Sequence, residues 1–143
     1  MPSSENEVLL RLARTVVGIS TRAADQLGLL SLVQLRALTV LRALGVANLG
    51  RLASGMGVTV STASRLVDRL VTAGLADRKP SPRSRREVAL AVTDRGIALL
   101  ERYDEFRLTE LRGLLDRLPH DRRPHVLSAL GELTGAPVPA PAT

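Results

Sequence analysis

Apolar residues recur along this chain at the spacing of helices. Val8, Leu12, Val16, Ile19, Ala23 and Leu27 fall on one face of a long first helix, which Gly28 ends. Ser31 is placed to cap a second helix that carries Leu35, Leu38, Leu41 and Leu44 and is closed by Gly45. Asn48 caps a short third helix with Leu49, Leu52, Ala53 and Met56. Gly57 supplies the left-handed residue of a tight turn. Thr59 then caps a fourth helix, with Ala63, Leu66, Val67 and Leu70 on its buried side. Two short helices around such a turn make a helix-turn-helix.

The period changes after Gly74. Residues 75–79 read as a short strand and residues 80–86 as a loop opened by Pro80. From 87 to 92 the alternation of Val88, Leu90 and Val92 has the period of two of a half-buried strand. Two strands around a loop, directly after a helix-turn-helix, make a wing. Thr93 caps a long helix with Ile97, Leu100, Tyr103, Phe106, Leu111, Leu114 and Leu118. A last helix starts near His120, takes Pro124 in its first turn, and carries Val126, Leu127, Leu130 and Leu133. Residues 135–143, GAPVPAPAT, have no pattern and are expected to form a disordered tail.

The expected fold is therefore mainly α with a small β-wing, in one domain of 143 residues. A winged helix-turn-helix occupies residues 31–93, and end helices at 5–30 and 94–134 flank it. The end helices carry more apolar surface than so small a unit can cover. A symmetric homodimer built on them is the expected answer.

Composition removes several chemistries. The chain has no cysteine, which excludes disulfides, thiolate metal sites and cysteine nucleophiles. No G-x-S-x-G, phosphate-binding loop or metal-ligand spacing occurs in it. His120 and His125 lie five apart and share a helix face poorly; Asp116 and Asp121 flank a helix junction and fit capping or solvation. No enzyme, cofactor or metal is expected. The opening stretch MPSSENEVLLRLARTV puts acids before the apolar part and arginines within it, unlike a signal peptide. No apolar run approaches the roughly 18 residues of a membrane span. A cytoplasmic protein without a membrane partner is expected.

Charge changes the picture more. Eight basic residues lie between positions 51 and 86, opposed only by Asp68 and Asp77, so this quarter of the chain holds the entire +6 excess. A surplus confined in this way points to a polyanion.

At this point the sequence resembles the MarR-type winged-helix transcription regulators, over about residues 5–134. The stretches that carry the likeness are LASGMGVTVSTASRLVDRLVTAGLADR and SPRSRREVALAVTDRG. They include Leu52-Ala53, the run RLVDRL at 65–70, Gly74-Leu75 and the Thr-x-x-Gly of Thr93 and Gly96. The resemblance implies a homodimer in which the first, fifth and sixth helices interlock. It implies a fourth helix in the major groove, a wing in a flanking minor groove, and often release from DNA by a small molecule. Ser84 stands where the family usually has an aspartate that braces the wing arginine, which makes this wing more positive.

Double-stranded DNA is then the expected partner, at a pseudo-palindromic operator matching the two-fold protein. The first turn of the fourth helix offers Thr59, Val60, Ser61, Thr62, Ser64 and Arg65 to base edges. Arg65 can take guanine O6 and N7 together, although Ser61 and Thr62 also suit an ordinary polar first turn. Arg51 and Arg69 are placed for phosphates. Arg78, Lys79, Arg83, Arg85 and Arg86 make the wing and its flanks positive, with Arg85 or Arg86 at the tip as the residue to insert in a narrow minor groove. The family pattern puts an effector pocket near residues 12–19, 35–42 and 99–106. Candidates there are Tyr103 and, as anchors for an anionic group, Arg14, Arg36 and Arg42. Only one Tyr and one Phe occur in the chain, so that pocket is expected to be aliphatic. Two other readings compete: a non-specific DNA-coating protein using the same basic face, and a winged-helix protein-interaction module.

Overall fold

The computed structural model describes residues 3–28, 30–81 and 83–137, with only the backbone at 84 and 85. Pro82 of the expected loop, the side chain of Arg85, and the expected tail beyond residue 137 lie outside the described residues. In chain order the elements are α1 (Ser4–Leu27), α2 (Leu32–Leu44), α3 (Leu49–Met56) and α4 (Val60–Thr72). After them come β1 (Ala76–Ser81), β2 (Ser84–Val92), α5 (Asp94–Leu115), a 3-10 turn (His120–Arg122) and α6 (Arg123–Thr134).

Local chemistry sets the helix starts. Ser31 and Gln34 form a reciprocal capping box on α2. The Asn48 side chain accepts from the Arg51 amide at 2.8 Å and opens α3. Thr59 accepts from the Thr62 amide at 3.1 Å and opens α4. Between α3 and α4, Gly57 takes the left-handed conformation, with φ of 69°. Leu49 to Thr72 thus form two helices joined by three residues, the geometry of a helix-turn-helix.

The chain forms two compact units. The first ends at Arg107. Its core gathers Leu35, Leu38 and Leu41 of α2, Leu52 of α3, Val67 and Leu70 of α4, Leu75, Leu90 of β2 and Leu100 of α5, all fully buried. The α4 face that meets this core is the one the apolar spacing predicts, so its opposite face is free for solvent or a partner. The second unit, from Leu108 on, holds the end of α5, the 3-10 turn and α6. Within it Arg123 ties the turn together: its guanidinium donates to the carbonyls of Leu118 at 3.3 Å and Asp116 at 3.4 Å. α5 stops at Leu115, so Leu118 lies in the connection between α5 and the 3-10 turn rather than in the long helix expected for it.

The wing corrects the sequence expectation. β1 runs through Pro80 to Ser81 and β2 starts at Ser84, so the strands take up most of the expected loop. Arg86 therefore sits in strand β2, not in a long loop. The reason is register. Leu90 exchanges both backbone hydrogen bonds with Ala47, at 2.7 and 3.0 Å, so its polar groups point away from β1. The Arg78–Leu90 pair is then a non-hydrogen-bonded pair, and Pro80–Val88, two residues along, shares its geometry. A missing N–H at that position costs no ladder bond, and Pro80 is accommodated.

Gly96 locks the wing root to α5. A Cβ there would lie 2.2 Å from the Leu75 carbonyl oxygen and 2.6 Å from Val92 Cγ1. Beside it the Thr93 hydroxyl donates to the Gly74 carbonyl at 2.7 Å and accepts from the Gly96 amide at 3.1 Å. Among the described residues no single helix is long and apolar enough to cross a membrane.

Candidate nucleic-acid interface

The free face of α4 is polar and largely open. Val60, Ser61, Thr62 and Arg65 are exposed, and Ser64 is half-buried. Thr59 is used up as the cap; its hydroxyl also donates to the Thr62 hydroxyl at 3.0 Å, which leaves Thr62 partly occupied. Ser61 and Arg65 are one turn apart and present the least committed groups of the first two turns of α4. Arg65 and Arg69 are exposed and have no ion pair among the described residues. Each is a full positive charge open to an external acceptor.

Further basic residues lie on α3 and the wing. Arg51 on α3 and Arg83 after β1 line one open groove of about 450 Å³, with Val46, Asn48, Glu87 and Val88. Lys79 is exposed on β1, and Arg86 is exposed on β2. Arg78 faces α4: its guanidinium donates to the carboxylate of Asp68 on that helix. The acid partner is a residue that sequence reasoning counted as opposing charge and did not assign to a partner. The pair is ten residues apart and joins a helix to a strand, so no local spacing reveals it.

The candidate effector residues do not form one group. Arg14 on α1 and Arg36 on α2 are exposed and carry no ion pair among the described residues. Arg42 is half-buried and donates to Asp104 of α5 at 3.0 Å. Arg107 donates to the other oxygen of Asp104 at 2.5 Å, and its guanidinium stacks 4.0 Å from the centre of the buried Tyr103 ring. Partial burial pushes the Asp104 carboxyl up, but the hydrogen bonds and charges of Arg107 and Arg42 outweigh it and hold it below its ordinary value. Asp104 and Arg107 were missed from sequence. Their i, i+3 spacing was a usable signal; the third member, on α2, was not.

Among the described residues no group of three or more His, Asp or Glu could hold a metal ion. What the surface can do is meet an extended anion. A helix-turn-helix whose second helix shows a polar, cationic face, followed by a two-stranded basic wing, defines a winged-helix protein.

Comparison with known proteins sharpens that class. The sequence model of the MarR family matches residues 30–88. Among solved structures the chain is similar to RV1404 from Mycobacterium tuberculosis, with 35% identity, a TM-score of 0.82 and 95% of each chain covered. It is similar to the transcriptional regulator Tm0710 from Thermotoga maritima at 25% identity and a TM-score of 0.75, with 94% of each chain covered. Wild-type MarR from E. coli shares the fold at 19% identity and a TM-score of 0.77, over 93% of this chain and 96% of that one. No curated protein sequence matches. The chain belongs to the MarR family, and its winged helix is the fold of that family's transcription regulators.

Proposed function

We propose that this protein is a homodimeric, sequence-specific DNA-binding regulator of transcription, working in the cytoplasm as a repressor that a small molecule releases from DNA. The observation that carries the reading is the open N-terminal end of α4, where Ser61 and Arg65 stand free on the helix-turn-helix and inside the stretch that holds all the excess positive charge. Family membership supports the same reading. In it, Ser61, Thr62, Ser64 and Arg65 read base edges with Val60 against a thymine methyl, Arg51 and Arg69 hold phosphates, and Lys79, Arg83 and Arg86 extend the contact along the wing. The short wing moves the inserted residue: Arg83, between the strands, takes the tip position that a long loop would have given to Arg85 or Arg86.

The dimer follows from apolar surface left bare. Val8, Leu9, Leu10, Leu12, Val16 and Val17 are exposed on α1. In the second unit Leu108, Leu111, Leu127, Leu130 and Leu133 are exposed as well. Surface of this kind on one chain calls for a second copy. Residues 5–30 and 94–134 would thus serve dimerisation and 31–93 DNA binding. The effector is taken to be a small anionic molecule anchored by Arg14 or Arg36, since Arg42 is held by Asp104.

The test is selection of bound fragments from genomic DNA, followed by competition. The reading predicts pseudo-palindromic sites with half-sites about 10 base pairs apart, and binding that survives an excess of random duplex. Displacement by random duplex as readily as by the selected site would leave a non-specific DNA-coating protein.

A further inference from the structure

The acid on the reading face of α4 requires an explanation. Ser61, Arg65, Asp68 and Thr72 follow one another at spacings of four, three and four, so they form one stripe of the helix, and all four are exposed. Asp68 is thus a carboxylate on the stripe that would face DNA. Left alone it has an obvious partner. Arg65 lies three residues earlier, at the separation where ion pairs form along a helix. Yet Arg65 has no ion pair among the described residues. Asp68 instead takes the guanidinium of Arg78, which reaches it from β1. Arg78 is well fixed for this: it stands opposite Leu90, which is buried and tied to Ala47 by two backbone hydrogen bonds.

We propose that Arg78 is a specificity-determining positioning residue: by holding the Asp68 carboxylate it keeps the Arg65 guanidinium free to read a base pair. The proposal rests on the DNA-binding reading above and reassigns one member of the basic set that the sequence offers. Arg78 holds no phosphate. Its charge is spent on Asp68, and the pair is neutral toward DNA. Removing Arg78 sends Asp68 to Arg65, and the reading contact is lost although Arg65 itself is intact.

The test is epistasis, measured with the full-length dimer on the selected operator, on the same duplex with single base-pair changes, and on random duplex. R78Q is expected to lower operator affinity by roughly tenfold per half-site and to relax the preference at the one base pair that Arg65→Ala relaxes. D68N/R78Q, which leaves no acid to capture Arg65, is expected to restore both the preference and the wild-type salt slope. Both positions are exposed, and matching thermal unfolding of the variants confirms that they fold. If Arg78 is a phosphate contact, the double variant stays as weak as R78Q. Its slope of log K against log salt is then shallower by about two for the dimer, since each lost contact releases roughly 0.9 fewer counterions. That result overturns the proposal and leaves the DNA-binding reading standing. A wild-type chain that binds no duplex at low salt removes both.

Discussion

Arg42 of α2 and Asp104 of α5 are 62 residues apart in sequence and joined by an ion pair of 3.0 Å. Arg107 completes the arrangement from the next turn of α5 and covers Tyr103. The side chains of Arg42, Asp104 and Arg107 are each about a third exposed, so water screens them partly but not fully. The consequence is mechanical. α2 packs under the helix-turn-helix, and α5 is pinned to it by one carboxylate with two cationic partners.

Replacing Asp104 by Ala should therefore cost about 1–2 kcal/mol, because two partly buried arginines lose their acceptor together. Arg42→Ala and D104A should not add. A double-mutant cycle in urea unfolding should give a coupling of roughly 0.5–1 kcal/mol. Strict additivity would mean that the pair contributes nothing to holding α5.

The same carboxylate sets a pH dependence. Asp104 in the folded chain is held below its ordinary value, so its contribution to stability is complete above the unfolded value of about 3.9 and fades as pH falls through the folded one. The stability gap between wild type and Asp104→Asn should be constant from about pH 5 to 7 and narrow below about pH 4. A gap that widens in acid would contradict the assigned direction.

Two glycines of α5 should respond in opposite ways to alanine. At Gly96 the new methyl meets the Leu75 carbonyl oxygen, which is backbone and cannot turn aside, and Val92. G96A should cost about 1–3 kcal/mol by overpacking. At Gly113 a Cβ meets nothing within 4 Å, and G113A should raise stability by up to about 1 kcal/mol through helix propensity. Thermal unfolding of the two variants checks both signs.

Much of this was legible in the sequence, and the division is physical. Ser31, Asn48, Thr59 and Thr93 cap helices through bonds to amides three residues on, so a few adjacent letters determine them. The buried faces of α2 and α4 follow from spacing alone. The wing loop expected from the sequence is too long because Pro80 looks like a strand breaker. Only the register, fixed by Ala47 against Leu90, reveals a position that needs no N–H. The partners of Asp68 and Arg42 were hidden for the same reason. Each comes from another element, and charge counted along the chain does not say which acid meets which base.

The bare apolar stripe of α1 should be satisfied by a second copy. Sedimentation at low micromolar concentration should show a dimer. Leu12→Glu with Val16→Glu, both on exposed positions of that stripe, should shift it toward monomer or unfolded chain. A wild-type monomer as the dominant folded species would remove the dimer, and with it the expectation of a two-fold operator.

The central claim, that the N-terminal end of α4 reads sequence, is tested most directly by the affinity of Arg65→Ala for the selected operator and for random duplex, each across a range of salt. The account predicts a loss of about 1–3 kcal/mol per half-site on the operator, a relaxed preference at one base pair, and a smaller loss on random DNA. Equal losses on both duplexes, with a shallower salt slope, would make Arg65 a phosphate contact and contradict the claim.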